Sequence, residues 1–227
     1  MLTGSVVEPF FALEVAVFRM CHQQLYVYLQ PSPERSGGAR SILTGGIDLL
    51  HDKNIDNSVK RLVESQVGVD APYIEQVKTI GNATRHPQGW MVAAVYYAVI
   101  PQSMNQPLDN WFAVNQLQKQ GLVFDHLALI YSCLKRLKDK AQYTSMPLHM
   151  MPSEFTLTEL QHCFESILSS NIEKKAFRRR MLDAGLVVSL DKERRGRSRP
   201  AQLYRVKRGH IIHHFSRKML GKSKDFA

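Results

Sequence analysis

The chain has 227 residues and a mass of 25.9 kDa, enough for one large domain or two small ones and for a buried core. With 44% hydrophobic and 22% charged residues, its composition is that of a globular protein and excludes collagen-like, mucin-like and low-complexity classes. The formal charge of +10 is unevenly spread: residues 1–150 hold 13 basic against 12 acidic side chains, and residues 151–227 hold 17 against 8. That asymmetry predicts a near-neutral domain joined to a basic module with a polyanionic partner, either nucleic acid or an acidic membrane surface; a basic face that only aids solubility is the plainer alternative. No run approaches the roughly 18 apolar residues of a membrane helix, and Glu8 and Glu14 near the start argue against a signal peptide. Three widely spaced cysteines without CxxC spacing suit neither a disulfide framework nor structural zinc, so a reducing cytoplasm is expected.

In chain order, residues 11–20 (FALEVAVFRM) alternate and are rich in β-branched side chains, and residues 24–29 (QLYVYL) read as their hairpin partner. A loop rich in Pro, Ser and Gly (31–40) leads to a short strand at 42–46 that ends on paired glycines, Gly45 and Gly46. In residues 56–67, Val59, Leu62, Val63 and Gln66 recur at helical spacing, with Asp56 available as N-cap and Gly68 as the stop. Residues 75–80 and 90–100 (WMVAAVYYAVI) read as strands, the second apolar enough to be central and covered on both faces. A long amphipathic helix is expected at 122–141. The stretch 143–153 has two prolines, little charge and no periodicity, which sets expected domains at 1–145 and 146–227.

Beyond that point the pattern becomes helical. Residues 155–169 (FTLTELQHCFESILS) open with Thr156 and Glu159 in capping-box relation and carry an apolar stripe of Leu160, Phe164, Ile167 and Leu168. Asn171 can cap a second helix running through Asp183, and Gly185 ends it. Residues 186–190 and 202–206 are short strands around the basic loop 193–200 (ERRGRSRP). Helix, turn, helix and hairpin is winged-helix order.

On the second helix (IEKKAFRRRMLD), a step of about 100° per residue buries Phe177 and Met181 and turns Arg179 outward, with Lys175 beside it. An outward arginine can bridge both acceptors of a guanine in a major groove, so Arg179 is the first candidate base reader and Lys175 the second. Lys174, Arg178 and Arg180 lie on the flanks, where phosphates are within reach. Arg194, Arg195, Arg197 and Arg199 in the loop suit a minor groove or the phosphate backbone. The rival readings of these cations are a disordered basic turn or a patch for anionic lipid. Single-stranded RNA fits less well, because no aromatic sheet face is in evidence. His210, His213 and His214 have spacing that a metal could use, but no metal site is assigned to them.

Residues 45–69 (GGIDLLHDKNIDNSVKRLVESQVGV) resemble a Nudix box, with Gly45 and Gly46 in the paired-glycine place, Arg61 as the motif arginine and Gly68 with Val69 at the end. Where that family's helix presents metal-binding glutamates, this chain has Leu62, Ser65 and Gln66. Magnesium needs hard anionic oxygens, which none of the three supplies. Glu64 is one position away, a rotation of about 100°, and does not substitute. The box reads as a retained scaffold without hydrolase chemistry, so no catalytic residue, metal or cofactor is expected. The rival is a magnesium-dependent ADP-ribose or nucleotide pyrophosphatase, and a third class is a membrane-surface or protein-binding adaptor.

Over residues 8–206 the chain resembles the Nudix-related transcriptional regulators of the NrtR type. The resemblance rests on the Glu75-Gln76 strand, the Phe124-Asp125-His126 helix start, Phe177-Arg178-Arg179 and the Arg199-Pro200-Ala201 wing. It implies an α/β (α+β) Nudix-like α/β/α sandwich with a C-terminal winged helix-turn-helix, acting as a homodimer on a palindromic double-stranded DNA operator. It also implies a small-molecule effector, ADP-ribose, a related nucleotide or a sugar, and a role in repression, often of NAD metabolism. The family usually shows Arg-Asp-Pro-Arg-Gly-Arg where this chain has Arg85-His86-Pro87-Gln88-Gly89-Trp90. For a nucleotide effector, Arg61 and Arg85 are the cations expected at its phosphates, and Trp90 is placed to stack a base. The alternatives are that Arg61 pairs with an acid and that Trp90 packs in the core.

Overall fold

The structure is a computed structural model that describes residues 8–32, 38–86, 89–102, 108–195, 200–209 and 211–220. Of the positions singled out above, Pro87, Gln88, Arg197, Arg199 and His210 lie outside the described residues. The chain divides into two compact units, Met1–Phe18 with Val27–Ile100 and Leu108–Leu134, and Arg19–Tyr26 with Pro101–Pro107 and Lys135–Ala227. This division passes through a continuous helix, between Leu134 and Lys135.

The first unit is a mixed sheet with helices. Its elements are β1 (Phe10–Cys21) up to Phe18, β2 (Gln24–Tyr28) from Val27, β3 (Gln30–Pro31), β4 (Arg40–Ser41), β5 (Leu43–Gly45), α1 (Ile55–Val67), β6 (Tyr73–His86), β7 (Gly89–Val99), β8 (Trp111–Ala113) and the start of α2 (His126–Tyr143). The sheet order is β6-β7-β1-β2-β8, with β5 also on β1. β1 runs parallel to β7, while β5 and β6 are antiparallel to their partners. Leu13, Val15 and Val17 of β1 and Val95, Tyr97 and Val99 of β7 are fully buried, as a near-continuous apolar run requires of central strands. The β1–β2 turn is carried by His22 and Gln23 at φ 45° and 62°, the left-handed pair that matches the strand twist.

Three local expectations are corrected. The N-cap of α1 is Asn54, not Asp56: Asn54 is extended and its side chain accepts from the Asn57 N–H at 2.9 Å. Asp56 lies in the first turn and accepts from the Tyr96 hydroxyl at 3.1 Å. α2 starts at His126 rather than 122, because the backbone before it is engaged elsewhere: Leu122 bridges to Arg40, the Val123 N–H donates to the Arg40 carbonyl at 3.0 Å, and Phe124 is left-handed at φ 48°. The strand expected at 75–80 extends over all of β6 through its pairing with β7.

The second unit holds a 3-10 turn at Met146–Met150, β9 (Phe155–Thr156), α3 (Leu157–Leu168), α4 (Lys174–Asp183), β10 (Val187–Arg194) and β11 (Ala201–Val206). The capping box of α3 forms as expected, with Thr156 accepting from the Glu159 N–H at 3.1 Å and Glu159 accepting from the Thr156 N–H at 2.7 Å. The cap of α4 is Glu173 rather than Asn171. Between the helices, Glu165 accepts from the Ile172 N–H at 2.8 Å and Gln161 donates to the Ile172 carbonyl at 3.0 Å, which fixes the turn. Phe164 and Phe177 meet edge to face at 5.4 Å and lock α3 to α4. β9, too short to read from periodicity, pairs with β11 and completes a sheet in the order β10-β11-β9.

Candidate effector pocket and nucleic-acid interface

The first unit contains a cavity of about 230 Å³. Glu14 enters it from the middle of β1, Arg85 from the end of β6, Ser41 and Thr44 from β4 and β5, and Phe124 and His126 from the approach to α2. Arg85 Nη2 donates to both oxygens of Glu14, at 2.7 and 2.5 Å, and to Asp125 Oδ1 at 2.8 Å, while Nε reaches Asp125 Oδ2 at 2.9 Å. Side chains of Glu14 and Arg85 are 2% and 4% exposed. Charges this deep survive only when paired and hydrogen-bonded. Burial works against the Arg85 cation, yet its bonds to Asp125 and Glu14 outweigh that and hold its pKa above the usual arginine value.

His126 completes the inner wall. Its Nε2 lies 3.7 Å from Glu14 Oε1, and its buried Nδ1 has no hydrogen-bond partner among the described residues. Such an unmet group is uncommon in a folded protein and marks a place where an incoming polar atom gains a bond. Phe124 stands at the rim, 44% exposed, its ring edge-on to His126 at 5.9 Å. Carboxylate, imidazole and hydroxyl groups under an exposed aromatic ring suit a compact ligand rich in hydroxyls and carrying a flat face.

Of the residues expected at an effector, Arg85 lines this cavity. Arg61 instead holds Asp52 through two bonds, Nε to Oδ1 at 2.9 Å and Nη2 to Oδ2 at 2.7 Å, and donates to the Gly46 carbonyl at 3.0 Å. It braces the loop before α1, and its hydrogen bonds hold the Asp52 carboxyl far below the usual range. Trp90 is 52% exposed and outside the cavity lining, so it neither packs in the core nor faces this pocket. Sequence reasoning missed Glu14, Phe124 and His126 as site residues. The signal available was Glu14 itself, an acid within an apolar strand, which must find a partner or a ligand.

α1, in the segment that resembles a Nudix box, carries Leu62, Ser65 and Gln66. Leu62 is 7% exposed and packs so close to Gly45 that a Cβ there would lie 2.9 Å from Leu62 Cδ1. Ser65 donates to the Leu62 carbonyl at 3.1 Å and Gln66 is exposed. These donors do not fit a magnesium ion. Among the described residues, no three His, Cys, Asp or Glu side chains are grouped to hold a metal. Cys133 and Cys163 are buried thiols that burial pushes up to about 12.

In the second unit, α4 buries Phe177 and Met181, at 1% and 0% exposure, and leaves Lys174, Lys175 and Arg179 exposed with Arg178 half-buried. Lys174 with Arg178 and Lys175 with Arg179 are one helical turn apart, giving two rows of cations. Glu173 caps the helix by accepting from the Ala176 N–H at 2.6 Å and the Lys175 N–H at 2.8 Å, bonds that hold its carboxyl below the usual range. Two of the expected DNA contacts are already engaged. Arg194 is paired with Glu159 and also donates to the Glu154 carbonyl at 3.4 Å. Arg180 Nη1 donates to the Lys218 carbonyl at 2.9 Å. Arg195 is exposed at the end of β10.

Residues 147–206 match the model of the NrtR DNA-binding winged helix domain. Over 208 residues the chain is 41% identical to the ADPR responsive transcriptional repressor NtrR of Acinetobacter baylyi, covering 87% of this chain and 82% of that protein. The chain belongs to the NrtR family. The NrtR of Shewanella oneidensis, solved in complex with a 27mer DNA, is 30% identical with a TM-score of 0.81, covering 92% of this chain and 99% of that one. The Nudix domain of the same NrtR, solved with ADP ribose, is 27% identical with a TM-score of 0.52, covering 59% of this chain and 91% of that one. The fold accordingly combines a Nudix-type domain with a C-terminal winged helix, as the resemblance implied. Among the described residues of this NrtR-family chain, no helix is long and apolar enough to cross a membrane.

Proposed function

We propose that this NrtR-family protein is a cytoplasmic, DNA-binding transcriptional repressor whose Nudix-type domain senses ADP-ribose or a closely related nucleotide. It acts as a homodimer on a palindromic operator and does not hydrolyse its effector. The observation that carries this reading is the pair of cation rows on α4, with Lys174, Lys175 and Arg179 exposed and Arg178 half-buried, in a chain 41% identical to an ADPR responsive repressor. Arg179 is the base reader, Lys175 its companion, and Lys174, Arg178 and Arg195 reach phosphates. Replacing Arg179 with alanine is expected to cut the preference for operator over random duplex roughly 5- to 150-fold, the value of a bidentate guanine contact of about 1–3 kcal/mol. Arg195→Ala is expected to weaken both duplexes alike and to reduce the salt slope by about 0.9. Fluorescence anisotropy with the two duplexes measures both; equal losses on the two duplexes from Arg179→Ala would remove it as a reader.

The cavity around Glu14 is the effector site. At about 230 Å³ it is smaller than the roughly 300–1,000 Å³ of a site enclosing a drug-sized ligand, so it holds one end of ADP-ribose and leaves the rest outside. Glu14 and His126 take hydroxyls of a ribose, and Phe124 carries a flat face of the ligand. Phe124→Ala is expected to weaken ADP-ribose binding about 5- to 150-fold, from a stacking contribution of about 1–3 kcal/mol, measured by calorimetry. Incubation with ADP-ribose and Mg²⁺ is expected to yield no AMP, because Leu62, Ser65 and Gln66 supply no anionic ligand. Turnover abolished by Glu64→Gln would return the chain to the hydrolases. Repression responds to the effector only because the ligand binds the DNA-competent and incompetent dimers unequally.

A further inference from the structure

After β11 the chain carries no Asp or Glu until Asp225, yet residues 211–220 follow a fixed course. Within the second unit, His213 and Ser145 exchange bonds: the Ser145 N–H donates to the His213 carbonyl at 3.0 Å, and the His213 N–H donates to Ser145 Oγ at 2.8 Å. The Phe215 N–H reaches the Tyr143 carbonyl at 2.6 Å and the Met219 N–H the Gln142 carbonyl at 2.8 Å. Phe215 and Met219 turn inward, 8% and 5% exposed, while Arg217 and Lys218 between them stay exposed. A segment anchored every few residues on its apolar side presents its cations in set positions.

Arg180 of α4 also binds this segment. Besides the Lys218 carbonyl, its Nη1 lies 3.4 Å from Met219 Sδ, and its guanidinium stands 5.7 Å over the Phe215 ring. Arg217 lies close enough to repel it: partial burial first, and the Arg217 charge second, lower the Arg180 pKa. Neighbouring cations that repel one another cost free energy until an anion joins them. Arg180 follows Arg179 on α4, so its bonds hold Arg217 and Lys218 beside the helix that carries the exposed cations.

We infer that residues 211–220 form an additional DNA-contacting element, in which Arg217 and Lys218 bind backbone phosphates beside those reached from α4 while Arg180 positions the segment. This rests on the DNA-binding reading of α4. It gives Arg180 a positioning role in place of the direct phosphate contact expected from its flanking place in the helix.

The test is the salt dependence of duplex binding by the full-length protein. Arg217→Ala with Lys218→Ala is expected to weaken operator and random duplexes by the same factor and to reduce the slope of log K against log salt by about 1.8, two phosphates' worth. Both residues are exposed, and Lys218 also stands 5.6 Å over the Tyr143 ring, so the unfolding midpoint is expected to move only slightly, by the roughly 0.5–1 kcal/mol of an exposed cation–π contact. Arg180→Ala is expected to reproduce part of that slope change alone and to add little on top of the double variant. If the unaltered protein binds duplex and the double variant keeps its slope, the inference is overturned while the α4 reading stands. If the unaltered protein binds no duplex, both fall. An Arg180→Ala loss that adds in full to the double variant overturns the positioning role.

Discussion

Arg85→Ala is expected to lower the stability of the first unit by about 3–5 kcal/mol, the usual cost of removing one partner from a buried ion pair. The reason is Glu14: at 2% exposure, with its oxygens 2.7 and 2.5 Å from Arg85 Nη2, it would be left a buried carboxylate with its guanidinium partner gone. Arg85→Lys is expected to recover little, because a single ammonium cannot serve Glu14 and the two oxygens of Asp125 as the planar guanidinium does. Both tryptophans, Trp90 and Trp111, lie in the first unit, so urea unfolding followed by tryptophan fluorescence reports this loss. A change below about 1 kcal/mol would mean that water satisfies Glu14 and that the cavity is wetter than its geometry implies. The cluster also sets a pH dependence. Burial tends to raise the Asp125 carboxyl, but its bonds to Arg85 prevail and hold it below the usual range. The stabilisation from that pair is therefore present above the ordinary carboxylate pKa and lost as pH falls through the depressed value. In Arg85→Ala this acid-side loss is expected to vanish.

Phe177→Ala is expected to abolish operator binding without removing a single cation. The ring is 1% exposed and packs edge to face on Phe164 at 5.4 Å; truncating a buried phenylalanine costs about 3–5 kcal/mol, a large share of a small module's stability. With α4 no longer held on α3, the rows of Lys174, Lys175, Arg178 and Arg179 lose their common face. Arg178→Ala is the informative companion, since it deletes one cation and leaves the packing intact, and is expected to weaken binding modestly and alike on all duplexes. Calorimetry with ADP-ribose is expected to show the effector still bound by Phe177→Ala, which separates loss of the reading head from loss of the protein. Retained operator affinity in Phe177→Ala would show that α4 is held by something other than this contact.

The expectations that held are those written in neighbouring residues. The run WMVAAVYYAVI became the central strand β7, the Thr156–Glu159 capping box formed, and the burial of Phe177 and Met181 turned Arg179 outward. Each depends on a period of two or of 3.6 residues, or on a bond across one turn. The helix starts moved by two residues, to Asn54 and Glu173, because several polar side chains near a helix start compete for the same few N–H groups. The two-residue strand β9 leaves no periodicity and exists only through its pairing with β11.

From its own order of residues this chain determined which segments are strands and helices, that its positive charge gathers in the last third, and that Leu62, Ser65 and Gln66 stand on its Nudix-like helix. Its tertiary structure decided which charges are available. Arg85 lies 71 positions from Glu14, Arg180 lies 38 from Lys218 and Arg194 lies 35 from Glu159, so nothing in their local sequence distinguishes these arginines from the exposed Arg179. Whether a guanidinium is consumed by a carboxylate, tied to a carbonyl or left for a ligand depends on distances of about 3 Å, and folding alone brings such remote partners that close.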